Sequence, residues 1–592
     1  MYSQKTLSAL TASTCAAALA ASIYLGGVAY TPGQPDRSGF VHRYAPDYIA
    51  ECALHRTVAF GGEGSNSRAW QACRHEFART QTYGQFNRRY WATSSSAIAL
   101  LLSLFWLGPA LRRGHKAPKV VRGRSYYRGG EARRKLEKAS RKDCKTSGSA
   151  MEFPKGIPFA WDRENRHMMI WGGVGSGKTQ IMLNLMDRII ARGDKMLVLD
   201  TKGDMTASLG APFTLIAPQD ARSHVWNVAA DCTTKQDARE LAAKLIPEGH
   251  DRIWSDAART VLTACLCKLL GTQPGKWTWE DLRASVTSDL ATLRETATDY
   301  YPQALHILSE DGGRTTQSVL TTLQSHMQAV SALADAWGVS DGKTFSVTDW
   351  IASPGYEPPL VLQYDGKYPD LSNAWISSMV ATLSGIVSSP TFTEDSGRRI
   401  WLFLDEFPQL DELKHFSTLL DTGRSKGLCV VIGMQDFAQL RDTYGNHKAD
   451  AWLGMIGTHV MTRMSLGRSA DEACRLMGLQ EIEIVQRTEN RQNGTVTYSN
   501  TVRTETRPVV TGADLAGNLG PYKKGIRAII LGPGKDVYEI DFPFVTLAQK
   551  RSAASPADWT MATPAKLRAK AARQVPQLSK ADLARIRKPR PS

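Results

Sequence analysis

Eight consecutive residues carry the most explicit chemistry in the chain: Gly172-Gly173-Val174-Gly175-Ser176-Gly177-Lys178-Thr179. They fill the pattern G-x-x-x-x-G-K-[ST], whose glycines let backbone N–H groups wrap phosphate oxygens. In that reading Lys178 reaches the β- and γ-phosphates of ATP, and Thr179 ligates Mg2+. Gln180 follows directly and joins the same nucleotide-binding set. The bland alternative is a chance glycine-rich turn. The second half of such a site is a buried strand ending in acid, and Ile400-Trp401-Leu402-Phe403-Leu404-Asp405-Glu406 has that form. Asp405 is the expected Mg2+ ligand, and Glu406 the residue that polarises the attacking water. The competing reading is an ordinary strand end running into a loop.

Two further polar residues fall at element ends. Arg424 stands in Thr422-Gly423-Arg424-Ser425-Lys426-Gly427, read as a loop before the apolar run 428–434, and Gln435 closes that run. An arginine so placed either reaches a neighbouring subunit's nucleotide or is a plain surface charge. Gln435 either senses the γ-phosphate or is a turn residue.

These groups need elements to hold them. His167-Met168-Met169-Ile170-Trp171 reads as a buried strand entering the glycine loop, and residues 180–192 as a helix leaving it. Gly193 is the helix stop. The motif therefore lies between strand and helix, where the helix N-terminus adds a positive dipole end. Residues 235–337 show helical patterns with almost no strand signal, clearest at 239–244, 257–270 and 318–334. Strand character returns at 360–364. Ser469-Ala470-Asp471-Glu472 reads as a capping box for a helix stopped by Gly478. Asn493-Gly494 reads as a hairpin turn, and 526–531 with 537–540 as a second hairpin.

The chain has 592 residues and a formal charge of +16, with 42% apolar and 22% charged residues. That composition excludes a wholly disordered protein, and 9 cysteines exclude a disulfide scaffold. The positive charge is concentrated. Residues 112–145 hold 14 Lys and Arg against 3 Asp and Glu, and residues 550–592 hold 11 against 2. The rest is close to neutral. Residues 7–30 and 91–111 are uncharged and long enough to cross a bilayer. A cleaved signal peptide is the alternative for the first, with Lys5 and Ala18-Leu19-Ala20 as its marks, although the apolar run continues past Ala20. A buried soluble helix is the alternative for the second. The basic block after residue 111 puts that side in the cytoplasm. It either touches anionic lipid, the safer reading, or contacts nucleic acid. Residues 31–90 contain no lysine but do contain Cys52 and Cys73. A periplasmic location permits a disulfide there; two separate thiols is the other reading. Cys265 and Cys267 have no matching His cluster and read as apolar helix residues.

With these residues in view, the chain resembles the conjugative type IV secretion coupling proteins, the TraD-like ATPases within the wider FtsK/HerA-type translocases. The resemblance rests on Asp405-Glu406-Phe407-Pro408-Gln409-Leu410, Gly423-Arg424-Ser425-Lys426-Gly427 and Gln435-Asp436-Phe437-Ala438-Gln439-Leu440 followed by Tyr444-Gly445. It extends to Arg122-Gly123-Arg124, Ile157-Pro158 and Leu199-Asp200-Thr201-Lys202-Gly203-Asp204, with Thr201 where relatives often have proline. It implies an α/β fold, a RecA-like core interrupted by an all-α domain, behind a two-helix transmembrane module. The domains are then 1–111 (transmembrane module, with 31–90 periplasmic), 112–150 (basic juxtamembrane linker), 151–238 and 346–549 (core), 239–345 (all-α insertion) and 550–592 (basic mobile tail). It also implies Arg424 as a trans-acting finger, Gln435 as γ-phosphate sensor, and a homo-hexamer at the bacterial inner membrane with its large domain in the cytoplasm. The implied work is ATP-driven transfer of single-stranded DNA, carrying relaxase and relaxosome proteins, into a type IV secretion channel. The alternatives are a receptor for protein cargo and an FtsK-like chromosome translocase. The basic tail reads as a DNA contact, a dock for a relaxosome protein or relaxase, or a solvated extension.

Overall fold

The computed structural model describes residues 44, 46–59, 65–88, 90–92, 95 and 119–561, less 250, 311, 339–342, 396, 408–409, 411, 414–415, 493–494 and 546–548. The chain divides into two units, 1–118 and 119–592. In the first, helices Pro46–Ala59 and Ser65–Arg79 are joined by a Cys52–Cys73 disulfide, which settles the pairing the sequence left open. Phe77 and Phe86 complete a small core there. The buried Arg56 is compensated by a 2.6 Å hydrogen bond to Asn87 and by the Tyr90 ring 4.1 Å away. The first apolar run lies outside the described residues, and of the second only 91, 92 and 95 fall within them. Among the described residues no helix is long and apolar enough to cross a membrane.

The second unit is built on an 11-stranded sheet. In chain order its strands are β1 (Tyr126–Tyr127), β2 (Met168–Trp171), β3 (Lys195–Asp200), β4 (Thr214–Ile216), β5 (Leu360–Gln363), β6 (Ile400–Leu404), β7 (Leu428–Met434), β8 (Thr458–Met461), β9 (Gly520–Tyr522), β10 (Gly525–Leu531) and β11 (Val537–Phe542). Their spatial order is β1-β11-β10-β8-β2-β7-β6-β3-β5-β4, with β9 paired to β10. Every neighbouring pair from β8 to β4 is parallel, whereas β10 joins β8 antiparallel and β11 joins β10 antiparallel. Parallel strands are covered on both faces, so they read as unbroken apolar runs. All residues of β2, β5, β6 and β7 are buried accordingly. Along β2, Met169 and Trp171 enter one core while Met168 and Ile170 enter the other.

Between β4 and β5 the chain forms the helical insertion, with helices Lys235–Leu245, Arg252–Thr272, Trp279–Val286, Leu290–Tyr300 and Arg314–Trp337. Side chains of Thr234, Asp251, Thr278 and Asp289 cap four of them, satisfying N–H groups that helix ends leave unpaired. Cys265 and Cys267 are buried in the second of these helices. The insertion does not stand apart. Trp226, Trp279, Trp337 and Trp375 form a chain of ring contacts with centroids 5.5, 6.3 and 6.0 Å apart, ending on the core helix Pro369–Ser388.

Three expectations need correction. The basic stretch from Lys119 is not a linker: Lys119–Gly123 pairs with the hairpin Leu479–Gln492/Thr495–Pro508, Tyr126–Tyr127 joins the main sheet, and Gly129–Ser147 is a helix. Its cations face solvent while Ala132 and Leu136 enter the core beneath, an amphipathicity that net charge conceals. The expected turn at 493–494 of that hairpin lies outside the described residues. The helix near residue 469 begins at Arg468 with Gly467 as N-cap, and Ser469 instead accepts from the Phe437 N–H at 2.9 Å. Finally, residues 550–561 are not mobile but packed on the core, as described below.

Leu136→Ala should destabilise the folded protein by about 2–5 kcal/mol, the cost of a buried leucine cavity. Thermal unfolding of the purified protein measures this; an unchanged midpoint would mean that residues 129–147 are a linker after all.

Candidate nucleotide-binding site

In a parallel sheet, loops at the carboxyl ends of the strands meet along one edge. Four neighbouring strands deliver the chemistry here: β2 runs into the glycine loop, β7 into Gln435, β6 into Asp405 and Glu406, and β3 into the loop carrying Lys202. β7 lies between β2 and β6, so the loop and the carboxylates face each other across one strand.

The loop is held from below. Gly172 N–H donates to Met434 O at 3.2 Å and Gly173 N–H to Arg463 O at 2.9 Å. Thr462 Oγ1 lies 2.7 Å from Ser176 Oγ and 2.8 Å from Trp171 O. Ser176 is thus a buried support, while Val174 is 79% exposed at the loop tip. Gly177 has φ +97°, where a side chain would also strike Ile526. The helix Lys178–Arg192 starts at once and ends on Gly193, as its sequence pattern requires. Gln180 turns toward the chain after β11, its Oε1 accepting from Val545 N–H at 2.8 Å.

The start of the helix after the glycine loop meets the acid that follows β6. Thr179 Oγ1 donates to Asp405 Oδ2 at 2.9 Å. Lys178 Nζ lies over the loop, donating to Gly172 O at 2.8 Å and Gly173 O at 3.2 Å. Burial lowers the Lys178 ammonium from its ordinary value, against the opposing pull of Asp405 and Glu406. Burial raises Asp405, partly offset by the Thr179 hydrogen bond and the Lys178 charge. Asp405 Oδ1 is buried and has no hydrogen-bond partner among the described residues. An orphaned carboxylate oxygen beside a threonine hydroxyl is an all-oxygen donor set that suits Mg2+. Glu406 is buried, in a left-handed conformation (φ +55°) uncommon for a residue with a side chain. Its Oε1 accepts from Gln435 Nε2 at 2.6 Å and also from Lys202 Nζ.

Arg424 is elsewhere. It lies in the last turn of the helix Phe416–Ser425 rather than on a loop, exposed at the opposite end of β7. Strand rise puts roughly 20 Å between it and Gln435, so it does not meet this chain's own glycine loop. Its helix is tied to the sheet by buried His167, which donates from Nε2 to Leu420 O at 2.7 Å and accepts at Nδ1 from Val430 N–H at 3.1 Å. Burial pushes His167 down to about 4, keeping the ring in the neutral form these two bonds require.

Sequence reasoning did not find Thr462, Arg463 or the Lys202 contact. Lys202 sits within a quoted motif, but its partner is set by β3 lying beside β6, which spacing along the chain does not report.

The family model for the type IV secretion-system coupling protein DNA-binding domain matches residues 152–538. The chain belongs to this coupling-protein family. The coupling protein TraD of Escherichia coli (strain K12) is 26% identical over 344 residues, 55% of this chain and 45% of TraD, so the match spans less than half of that relative's length. The bacterial conjugative coupling protein TrwBdeltaN70, in its unbound monoclinic form, superposes with a TM-score of 0.60 at 22% identity, covering 75% of this chain and 98% of that one. Plasmid coupling protein TrwB in complex with ADP and Mg2+ gives 0.57 at 22% identity over 75% and 99%. TrwB in complex with the non-hydrolysable ATP analogue ADPNP gives 0.58 at the same identity, over 75% and 99%. At that identity the likeness establishes the coupling-protein fold: a parallel α/β core with a helical insertion.

Gly172→Ala would place a Cβ 1.8 Å from buried Thr462 Oγ1 and 2.5 Å from Ser176 Oγ. Overpacking of this kind should cost about 1–3 kcal/mol and displace the loop. Thermal unfolding combined with binding of a fluorescent ATP analogue should show both losses; intact binding would contradict the geometry.

Proposed function

We propose that this protein is an inner-membrane coupling ATPase that moves single-stranded DNA, with its attached relaxase and relaxosome proteins, toward a type IV secretion channel. The observation that carries the reading is the meeting of Thr179 with Asp405, within reach of Lys178 and Glu406, at one strand edge. Membership of the coupling-protein family favours conjugative transfer over chromosome translocation. TrwB binds ADP with Mg2+ and ADPNP, and we carry ATP and Mg2+ over as cofactors here. When bound, Mg2+ neutralises charge on the β- and γ-phosphate oxygens. Residues 172–180 cradle the phosphates, Lys178 neutralises the γ-phosphoryl group, and Thr179 with Asp405 supplies the metal's oxygen ligands. Glu406 orients the attacking water, and Gln435, bonded to it, senses the γ-phosphate.

Arg424, beyond the amino-terminal end of β7, acts on a neighbour's nucleotide in a homo-hexamer. Residues 7–30 and 91–111 anchor the chain as two spans with the large unit in the cytoplasm, and the cations after residue 111 touch anionic lipid. The disulfide in the intervening segment suits a periplasmic location.

Lys178→Ala and Glu406→Gln should each reduce ATP turnover by roughly 10²-fold or more while leaving membrane insertion intact. Single-stranded DNA should stimulate the wild-type rate; an assembled oligomer whose rate ignores DNA would defeat the translocase reading. Mixing inactive Arg424→Ala subunits with inactive Lys178→Ala subunits should restore part of the rate, because each then supplies what the other lacks. No recovery at any mixing ratio would remove the trans role.

A further inference from the structure

The glutamate read above as orienting water is not free in this structure. Two donors converge on its Oε1: Gln435 Nε2 and the Lys202 ammonium. A carboxylate oxygen that already accepts from two donors is fixed in orientation and has less acceptor capacity left for water. Lys202 has the mobility to let go, since its side chain is 51% exposed while that of Glu406 is 4% exposed.

The Lys202 loop is a built object. Asp200, buried at the end of β3, accepts from Gly203 N–H and Thr206 N–H at 2.8 Å, from Thr206 Oγ1 at 2.8 Å and from Lys202 N–H at 3.3 Å. Its outer side is covered by the start of the basic tail. Backbone N–H groups of Lys550 and Arg551 donate to Ala207 O at 2.9 and 3.2 Å. The Arg551 guanidinium donates to Thr206 O at 3.1 Å and Leu209 O at 2.9 Å. Gln363 Nε2 bridges Thr206 Oγ1 and Ala553 O at 3.2 and 2.8 Å. Beyond the loop the segment is pinned by Trp559 Nε1 donating to Pro218 O at 2.7 Å. A single hydrogen-bonded path thus runs from residues 550–559 through the loop to the carboxylate at the nucleotide edge.

We infer that Lys202 is a positioning residue that withholds Glu406 from water, and that the docked segment 550–559 holds Lys202 in that position. The inference rests on Glu406 being the water-orienting residue. It gives the basic tail a role that net charge could not select: whatever engages the tail and pulls on residues 550–559 loosens the loop and frees the glutamate.

The experiment is an ATPase assay on the full-length, detergent-purified protein, with and without oligo-dT, for wild type, Lys202→Met, Lys202→Arg, the strap variant Arg551→Ala/Trp559→Ala, and Glu406→Gln. Lys202→Met should raise the DNA-free rate roughly tenfold, as expected when the hydrogen bond that holds the carboxylate away from water is lost, and flatten the response to DNA. Lys202→Arg should stay near wild type. The strap variant should also raise the DNA-free rate, and combined with Lys202→Met should add nothing, as expected for two changes on one path. Circular dichroism checks that each variant is folded. A Lys202→Met rate that falls as far as that of Glu406→Gln would make Lys202 a catalytic residue and overturn the inference. A Glu406-dependent rate indifferent to Lys202→Met would overturn it alone, leaving the site assignment standing. A wild-type rate unaffected by Glu406→Gln would overturn the site assignment itself and the inference with it. A fast Lys202→Met with an unchanged strap variant would disconnect the tail.

Discussion

Everything in the large unit is organised around one electrostatic problem: two carboxylates at the end of a fully buried strand. Asp405 and Glu406 end β6 among apolar residues, and burial alone favours neutral acids. The sheet order solves this by bringing cations from two other strands. Lys178 arrives from the loop after β2, one strand beyond β7, and Lys202 from the loop after β3, immediately beside β6. Thr179 and Gln435 supply the neutral donors. Asp405 Oδ1, which has no hydrogen-bond partner among the described residues, is where a metal ion would complete the set. Removing any of these strands from its place would leave a buried charge uncompensated, at a cost of several kcal/mol.

The same arrangement separates what happens at the two ends of the sheet. The carboxyl ends hold the glycine loop, the acids and Gln435. The amino ends hold a second buried charge group, in which Glu164 pairs with Arg399 at 2.8 Å and with Arg192 at 2.8 Å, beneath the ring of Trp161. Arg424 lies at this second end, on a helix bonded to His167. β2 therefore joins the glycine loop at one end to the arginine helix's anchor at the other. The helical insertion is locked to the core through four tryptophans.

Much of this was legible along the chain because it is local. The glycine loop needs glycines at fixed spacing for steric reasons, and a two-sided buried strand can only be an apolar run, so β2, β6 and β7 and the acids at the end of β6 declare themselves. The helices of the insertion show through their 3.6-residue period. Where local signals misled, the cause is identifiable. Fourteen cations hid the small apolar stripe Ala132–Leu136 that seats residues 129–147 on the core. Ser469 matched a cap by type, but Asp436 and Phe437, distant in sequence, recruited its hydroxyl. The start of the tail lacks apolar periodicity because backbone groups and single side chains, not a hydrophobic face, hold it.

The amino-acid sequence by itself determined the phosphate loop, the acidic strand end, the alternation of strand and helix, and the family motifs, since each depends on residues within a dozen positions of one another. Only the tertiary structure decided that Cys52 meets Cys73, that Arg424 and Gln435 stand at opposite ends of one strand, that Lys202 meets Glu406, and that the segment 550–559 packs on the loop after β3. Those facts are set by which strands lie side by side and which backbone groups remain to be satisfied after the sheet has formed, and linear spacing carries no record of either.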